Sequence, residues 1–588
     1  MRRIDLIKAG RGEIKADLVV KNGNLINVVS AEIYPADVAV HGDRIVAIGE
    51  VSRHRGRKTR VVDANGRFLS PGLIDGHLHI ECSKLSITSF AKAVLPCGTT
   101  TIVSGLDQIL VVAGLAGARA FLDEANASPL KVFWGAPCKT PYTFPTSTVG
   151  HYFRTTDHRK AQRWPECVGV WETVREFVQE LDREVLGAIE IAERNRLPVF
   201  GCAPMARGDT LTSYLCGGIR LDHESYSAEE MLEKLRNGMY VIIRESSVAH
   251  FLKENIRVVT QHCPQATRRV SFCTDDVVAS DILARGHVDN MVRMAIAEGV
   301  KPLSAIQMAT INGAEAYRID HLVGSISPGR YADILLVDSP ETFNVETVIA
   351  KGRLVAADGK MAIRLKPPRR SAKLTRTIKL EPVRPDELAV RTKRRVPRVK
   401  VLSMAVSTVV PFVRKRRDVE LHVQDGVVLP DIDNDVLYVT VVERYGKTKN
   451  RPVAFISGFG LKAGAMASST APDDNNIVCV GASAGDMAFA VNHLVRHDGG
   501  QVVVKDRRVV EFLPLPIGGI VADMEPAEMA RKEQRLDDAA RRLGCTLPWP
   551  FMYMFFLPIT AIPDYAMTDL GAIDCNARKR FDPVLGAA

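Results

Sequence analysis

Eight short apolar runs, at residues 72–77, 100–103, 131–134, 168–172, 198–202, 219–223, 240–245 and 270–275, alternate with longer stretches of helical character. Strands alternating with helices in this way build a parallel sheet, and eight such units close it into a barrel. Most of the runs end on a polar or turn residue. In a β/α barrel the carboxyl ends of the strands surround the active site, so chemistry is expected from those end residues.

The barrel is bracketed by two patches of short β-runs. The first holds residues 18–20, 25–29, 38–40 and 45–49, and the second holds 332–338 and 353–356. Regular short strands of this kind suggest a small β-sandwich, here assembled from both flanks of the barrel. The expected organisation is therefore a discontinuous β domain at 1–65 and 323–365, a distorted (β/α)8 metallo-hydrolase barrel at 66–322, a linker at 366–400, and a C-terminal α/β domain at 401–588. In the last of these, strands are expected at 436–442, 453–456 and 477–480, with a helix at 484–496.

The linker is basic. Much of the excess of 78 Lys and Arg over 68 Asp and Glu falls between Arg364 and Arg417, interrupted by Pro367, Pro368, Pro382, Pro385 and Pro397. The single aromatic of the run from Arg364 to Arg417 is Phe412, and the run carries no motif that reads bases, so a solvated Pro-containing linker is favoured over a nucleic-acid contact. The 11 cysteines include no Cys-x-x-Cys pair and read as free thiols. Charges at Arg2, Arg3, Asp5, Lys8, Arg11, Glu13, Lys15 and Asp17 break up any apolar leader, and no run of about 18 uncharged apolar residues follows. A cytoplasmic protein without a membrane anchor is expected.

The sharpest chemical signal is His77-Leu78-His79 at the end of the first barrel strand. Alternate strand residues share a face, so both imidazoles can hold one ion, at about 2.0–2.1 Å if it is zinc. A lone His-x-His is more often incidental than a metal site. Glu172, His223 and Asp275 at the ends of the fourth, sixth and eighth strands change that balance. Two imidazoles with carboxylates from the middle and end of the barrel can hold a cation that polarises water near neutral pH. Adjacent strand residues face opposite ways, so only one of Asp275 and Asp276 is expected to look into the barrel.

With these residues in view, the sequence resembles the adenine deaminases of the metal-dependent amidohydrolase superfamily. The resemblance covers nearly the whole chain and is closest at 93–101 (AVLPCGTTT), 222–224 (DHE), 238–245 (GMYVIIRE), 307–310 (QMAT) and 458–462 (GFGLK). It implies a metal-bearing barrel with a C-terminal domain beside the active site, and conversion of adenine and water to hypoxanthine and ammonia through a metal-activated hydroxide. Manganese or iron is the implied cofactor, zinc is admitted, and one or two ions are accommodated. By the same resemblance His77, His79, Glu172, His223 and Asp275 match metal-site positions, with Glu172 bridging and Asp275 relaying protons. Glu172 and Asp275 are the expected catalytic carboxylates, while Arg244, Glu245 and Asp107 are expected to contact a small purine-like substrate. Arg244 and Glu245 could equally form an ion pair across the mouth. A homo-oligomer is implied as well.

Three motifs depart from the family pattern. Gly-His-Ala-Pro becomes Gly201-Cys202-Ala203-Pro204, which makes Cys202 the candidate ligand there; Asp-Pro-His-Glu becomes Gly105-Leu106-Asp107-Gln108; and two histidines of the C-terminal domain become Pro472 and Asn475. A thiolate is a softer ligand than an imidazole. Another amino-heterocycle or cyclic amide as substrate, or a binding protein without turnover, stay open as alternatives.

Overall fold

The computed structural model describes residues 2–407 and 412–587. Residues 1, 408–411 and 588, which belong to the expected units 1–65 and 401–588, lie outside the described residues.

All eight expected barrel strands form. They are β1 (Leu73–Leu78), β2 (Thr99–Ser104), β3 (Lys131–Pro137), β4 (Cys167–Val174), β5 (Val199–Cys202), β6 (Ile219–Asp222), β7 (Tyr240–Arg244) and β8 (Val270–Cys273). They run parallel in sequential order. A bridge between Leu78 and Asp275 closes the ring, with the Asp275 amide donating to the His77 carbonyl (2.9 Å) and the His79 amide to the Asp275 carbonyl (3.1 Å). Closure thus brings the first and last strand ends, and the ligand candidates on them, side by side.

Burial on both faces explains why these strands read as near-continuous apolar runs. Each strand sends residues into one shared cluster: Ile74, Val103, Phe133, Val168, Phe200, Leu221, Ile242 and Cys273, every one of them buried. The barrel interior is a packed core and the chemistry is confined to the mouth. Strict alternation from Ile74 would face Gly76 and Leu78 inward. A register shift between Asp75 and Leu78 breaks that period.

The flanking β-runs join in one nine-stranded sheet, where Ile334–Val337 pairs antiparallel with Phe68–Pro71. An eleven-stranded sheet dominates the C-terminal part, with strands Val436–Val442, Val453–Ser457 and Ile477–Gly481 and the helix Ala484–Arg496. The basic stretch 366–400 is laid along this part and does not behave as a free tether. Leu374, Val383, Leu388 and Val390 are buried, Val390–Arg391 pairs with Val427–Val428, and the Val383 amide donates to Asn492 Oδ1 (2.8 Å). Its charge count conceals an apolar residue every few positions, and those residues anchor it. Among the described residues no helix is long and apolar enough to cross a membrane.

Candidate metal centre

Glu172 is the hub of the mouth. Its Oε1 lies 3.2 Å from His77 Nε2, 3.2 Å from His79 Nε2 and 3.7 Å from His223 Nε2. Asp275 Oδ1 approaches the same pair of imidazoles, at 3.7 Å from His77 and 3.5 Å from His79. Three overlapping ligand sets result: His77, His79 and Glu172; His77, His223 and Asp275; and Glu172, Cys202 and His223, with ligand atoms in each set within 4.8 Å of one another. All the sequence-derived ligand candidates therefore converge, Cys202 included.

The backbone is bent to deliver the carboxylates. Glu172 and Asp275 both adopt left-handed conformations, at φ +48° and +57°. That region is uncommon for residues other than glycine and clusters at functional sites. Trp171 stacks on one face of the His77 ring (3.9 Å between centroids, 10° between planes), and His223 stacks on another side at 3.6 Å. Room for the indole comes from two glycines: a Cβ on Gly105 would stand 2.3 Å from Trp171 Nε1, and one on Gly135 would stand 2.6 Å from Trp171 Cε3.

The donor set fits a cation. His77 Nδ1 and Nε2 and Glu172 Oε2 are buried and lack a hydrogen-bond partner in acceptable geometry. Buried polar atoms left unpaired cost stability unless something else engages them. Electrostatics agree: burial opposes charge on Glu172, but His223, His77 and His79 outweigh it and hold the carboxyl well below its usual range. Burial, reinforced by His223, pushes His77 down to about 4, so its imidazole is neutral and free to ligate.

Around this hub the structure sorts the remaining candidates. Asp107 Oδ1 lies 3.2 Å from His79 Nδ1, where it orients an imidazole. Arg244 makes three ion pairs, Nε with Asp275 Oδ2 (2.6 Å), Nη1 with Glu224 Oε1 (2.7 Å) and Nη2 with Asp276 Oδ2 (3.1 Å), so its guanidinium is spent on carboxylates. Glu245 is not brought to the hub; its carboxylate pairs with His250 Nδ1 (2.6 Å) and accepts from the Leu252 amide (3.1 Å). Asp275, not Asp276, reaches the imidazoles.

Two site residues escaped the sequence reading. Glu224 has Oε1 3.6 Å from His223 Nε2 and a buried, unpartnered Oε2. Its position next to a ligand at a strand end was the available signal. Asp473 comes from the C-terminal part; burial, Asp107, Asp474 and Glu172 push its carboxyl well up. It stands between Pro472 and Asn475, in the C-terminal motif that departs from the family pattern, and that neighbourhood was the available signal.

The amidohydrolase family matches residues 68–355, and the adenine deaminase C-terminal domain matches 411–579. Adenine deaminase 4 of Rhizobium meliloti is 65% identical over 98% of this chain and 96% of its own length. The chain belongs to the adenine deaminase family. A second adenine deaminase, from Desulfotalea psychrophila, is 60% identical over 99% of this chain and 97% of its own, and one from Latilactobacillus sakei is 52% identical over 99% and 98%. Membership of the amidohydrolases carries with it a divalent metal, for which the cluster on Glu172 offers the candidate ligands.

Proposed function

We propose that the protein hydrolyses adenine to hypoxanthine and ammonia at the mouth built on Glu172. The observation that carries this reading is the convergence of His77, His79, Glu172, Cys202, His223 and Asp275, from five different strand ends, on one buried cluster. Family membership supplies the substrate class.

His77, His79, Glu172 and Asp275 would hold an inner ion, manganese or iron, and Glu172, Cys202 and His223 an outer one. Bound there, a divalent ion supplies Lewis acidity and makes water a nucleophile near neutral pH. The residues of the chain account for the protons. Asp275 would hold the ion through Oδ1, the oxygen that faces the imidazoles, and Oδ2, kept in place by Arg244 Nε, is the atom that takes the proton water loses as it adds to the amino-bearing ring carbon. Glu224 is held the same way through Oε1, and its unpartnered Oε2 is the atom available to protonate the ring nitrogen. Burial raises the Glu224 carboxyl despite Arg244 and His223, which favours the protonated donor form. One guanidinium thus spaces an acceptor and a donor, and the amine leaves as ammonia with the proton relayed to it.

Ammonia release from adenine by the metal-loaded protein tests this directly. Asp275→Asn is expected to lower kcat by about 10²–10⁴-fold, the usual worth of a positioned acid or base. Turnover of another amino-heterocycle with none of adenine would overturn the substrate assignment. An Asp275→Asn protein with full activity would overturn the proton route.

A further inference from the structure

We propose that the outer position is a thiolate site for a softer divalent cation than the inner one takes, so that the protein carries two unlike metals. This rests on the reading of the mouth as a two-metal centre and concerns its ligation, not its substrate.

The two positions differ in donor chemistry. The inner set assigned above is two imidazoles and two carboxylates, with Glu172 Oε1 and Asp275 Oδ1 3.2–3.7 Å from His77 and His79 Nε2; the outer set is Glu172, the Cys202 thiol and His223, with ligand atoms within 4.8 Å of one another. His223 Nδ1 lies 3.1 Å from the Gly201 carbonyl, which takes its proton, so Nε2, 3.7 Å from Glu172 Oε1, is the nitrogen left to face a cation once one displaces its proton. Glu172 Oε2 is buried and without a partner. A second observation therefore points to a ligand beside the cysteine.

The thiol is also held in place. The Cys202 amide donates to Tyr214 Oη (3.0 Å), whose hydroxyl donates in turn to the Thr173 carbonyl, next to Glu172. Asp222 accepts from the amides of Ala203 (2.8 Å) and Glu224 (3.0 Å), which fixes the residues after Cys202 and after His223 with one carboxylate. Lys234, wholly buried on the helix Ala228–Arg236, closes the clamp: its Nζ donates to Asp222 Oδ2 (2.7 Å), the Ala203 carbonyl (2.9 Å) and the Glu224 carbonyl (2.6 Å). A buried lysine spent on two adjacent ligand loops preorganises sulfur and imidazole at a set spacing.

Thiolate ligation selects zinc-class cations over manganese, whereas imidazole with carboxylate suits manganese and iron. Binding forms a metal–sulfur bond as the S–H proton leaves to solvent, so no oxidant or reductant is needed.

The metal-stripped full chain loaded with cobalt(II) tests this without reference to turnover. The expected result is an intense near-ultraviolet sulfur-to-cobalt charge-transfer band at two ions per chain. Cys202→Ser should abolish the band and lose one ion per chain, and Cys202→His should regain the ion without the band. Absence of the band from wild-type protein at saturating cobalt overturns the proposal, whatever the variants do, and so does a Cys202→Ser protein that keeps both ions. Ammonia assays on the same samples separate the two readings: a band without turnover of adenine leaves the thiolate site and removes the deaminase assignment, and turnover without a band does the reverse.

Discussion

Glu172 and Asp275 leave their strands in the left-handed region, at φ +48° and +57°. A non-glycine residue there costs of order 1–3 kcal/mol, which persists only where the surroundings over-determine it. Here the return is a carboxylate turned onto imidazoles from neighbouring strands. The same economy of placement explains Asp107. Burial opposes charge on the His79 ring, but Asp107 outweighs it through charge and a hydrogen bond, and with Glu172 and Asp275 raises the ring well above its ordinary value. A carboxylate on the far nitrogen of a ligating histidine fixes its tautomer and strengthens it as a donor. Asp107→Asn keeps the shape and removes the charge. It is expected to weaken metal binding by about 10–100-fold, read by competition with a chelator of known affinity. Unchanged affinity would assign Asp107 to substrate after all.

At the scale of elements, the loop at 469–476 between strands Ala465–Ser468 and Ile477–Gly481 brings the C-terminal sheet to the barrel. Asn476 Nδ2 donates to the Thr148 carbonyl (3.0 Å), and the Thr148 amide donates to Asp569 Oδ1 (3.0 Å). Asp474 is buried in this seam, and burial together with the Asp569 carboxylate pushes it up to about 7. Its folded value exceeds the unfolded one, so the stability it contributes is fully present below about pH 4 and is lost as pH rises through about 7. The shift of about 3 units corresponds to about 4 kcal/mol at most. Wild-type Tm should therefore fall between about pH 4 and about pH 7 and level off above, and Asp474→Asn should flatten the fall and be the more stable protein at the higher pH. Parallel profiles for the two proteins would remove Asp474 from the account. This loop also marks where sequence reading stops. The eight barrel strands were legible because strands buried on both faces read as apolar runs, and His77, His79, Glu172, His223 and Asp275 because each stands at the end of one. Glu224, Asp473 and the true partners of Asp107 and Arg244 were not, since those depend on which loops meet in space. The anchoring of 366–400 was hidden for a related reason: its buried residues are isolated among lysines and arginines.

Over the whole molecule, Arg370 of that basic segment ties the barrel to the C-terminal part. Arg370 is bidentate to Glu124, with Nη1 2.5 Å from Oε2 and Nη2 3.1 Å from Oε1, and reaches Asp523 through Nε (2.9 Å) and Nη2 (2.5 Å). Glu124 lies on the helix Asp107–Ala127, the element that begins with the carboxylate orienting His79. Its own side chain is only 1% exposed and also accepts from the Thr88 amide (2.8 Å). The staple therefore couples the helix behind the metal centre to the loop at Asp523, between the strand Arg508–Pro514 and the helix Pro526–Arg542. Truncating one partner of such a pair leaves a buried charge without compensation, which costs about 3–5 kcal/mol, whereas replacing both is nearly neutral. Arg370→Met is expected to lower unfolding stability by that amount, and Arg370→Met combined with Glu124→Gln to recover most of it. Denaturant unfolding of the two variants beside wild type gives the answer. If the single and double variants are equally stable, Glu124 is compensated by the Thr88 amide alone and Arg370 is a surface contact; if only the single variant falls, the arginine is what lets a carboxylate sit buried where barrel and sheet meet.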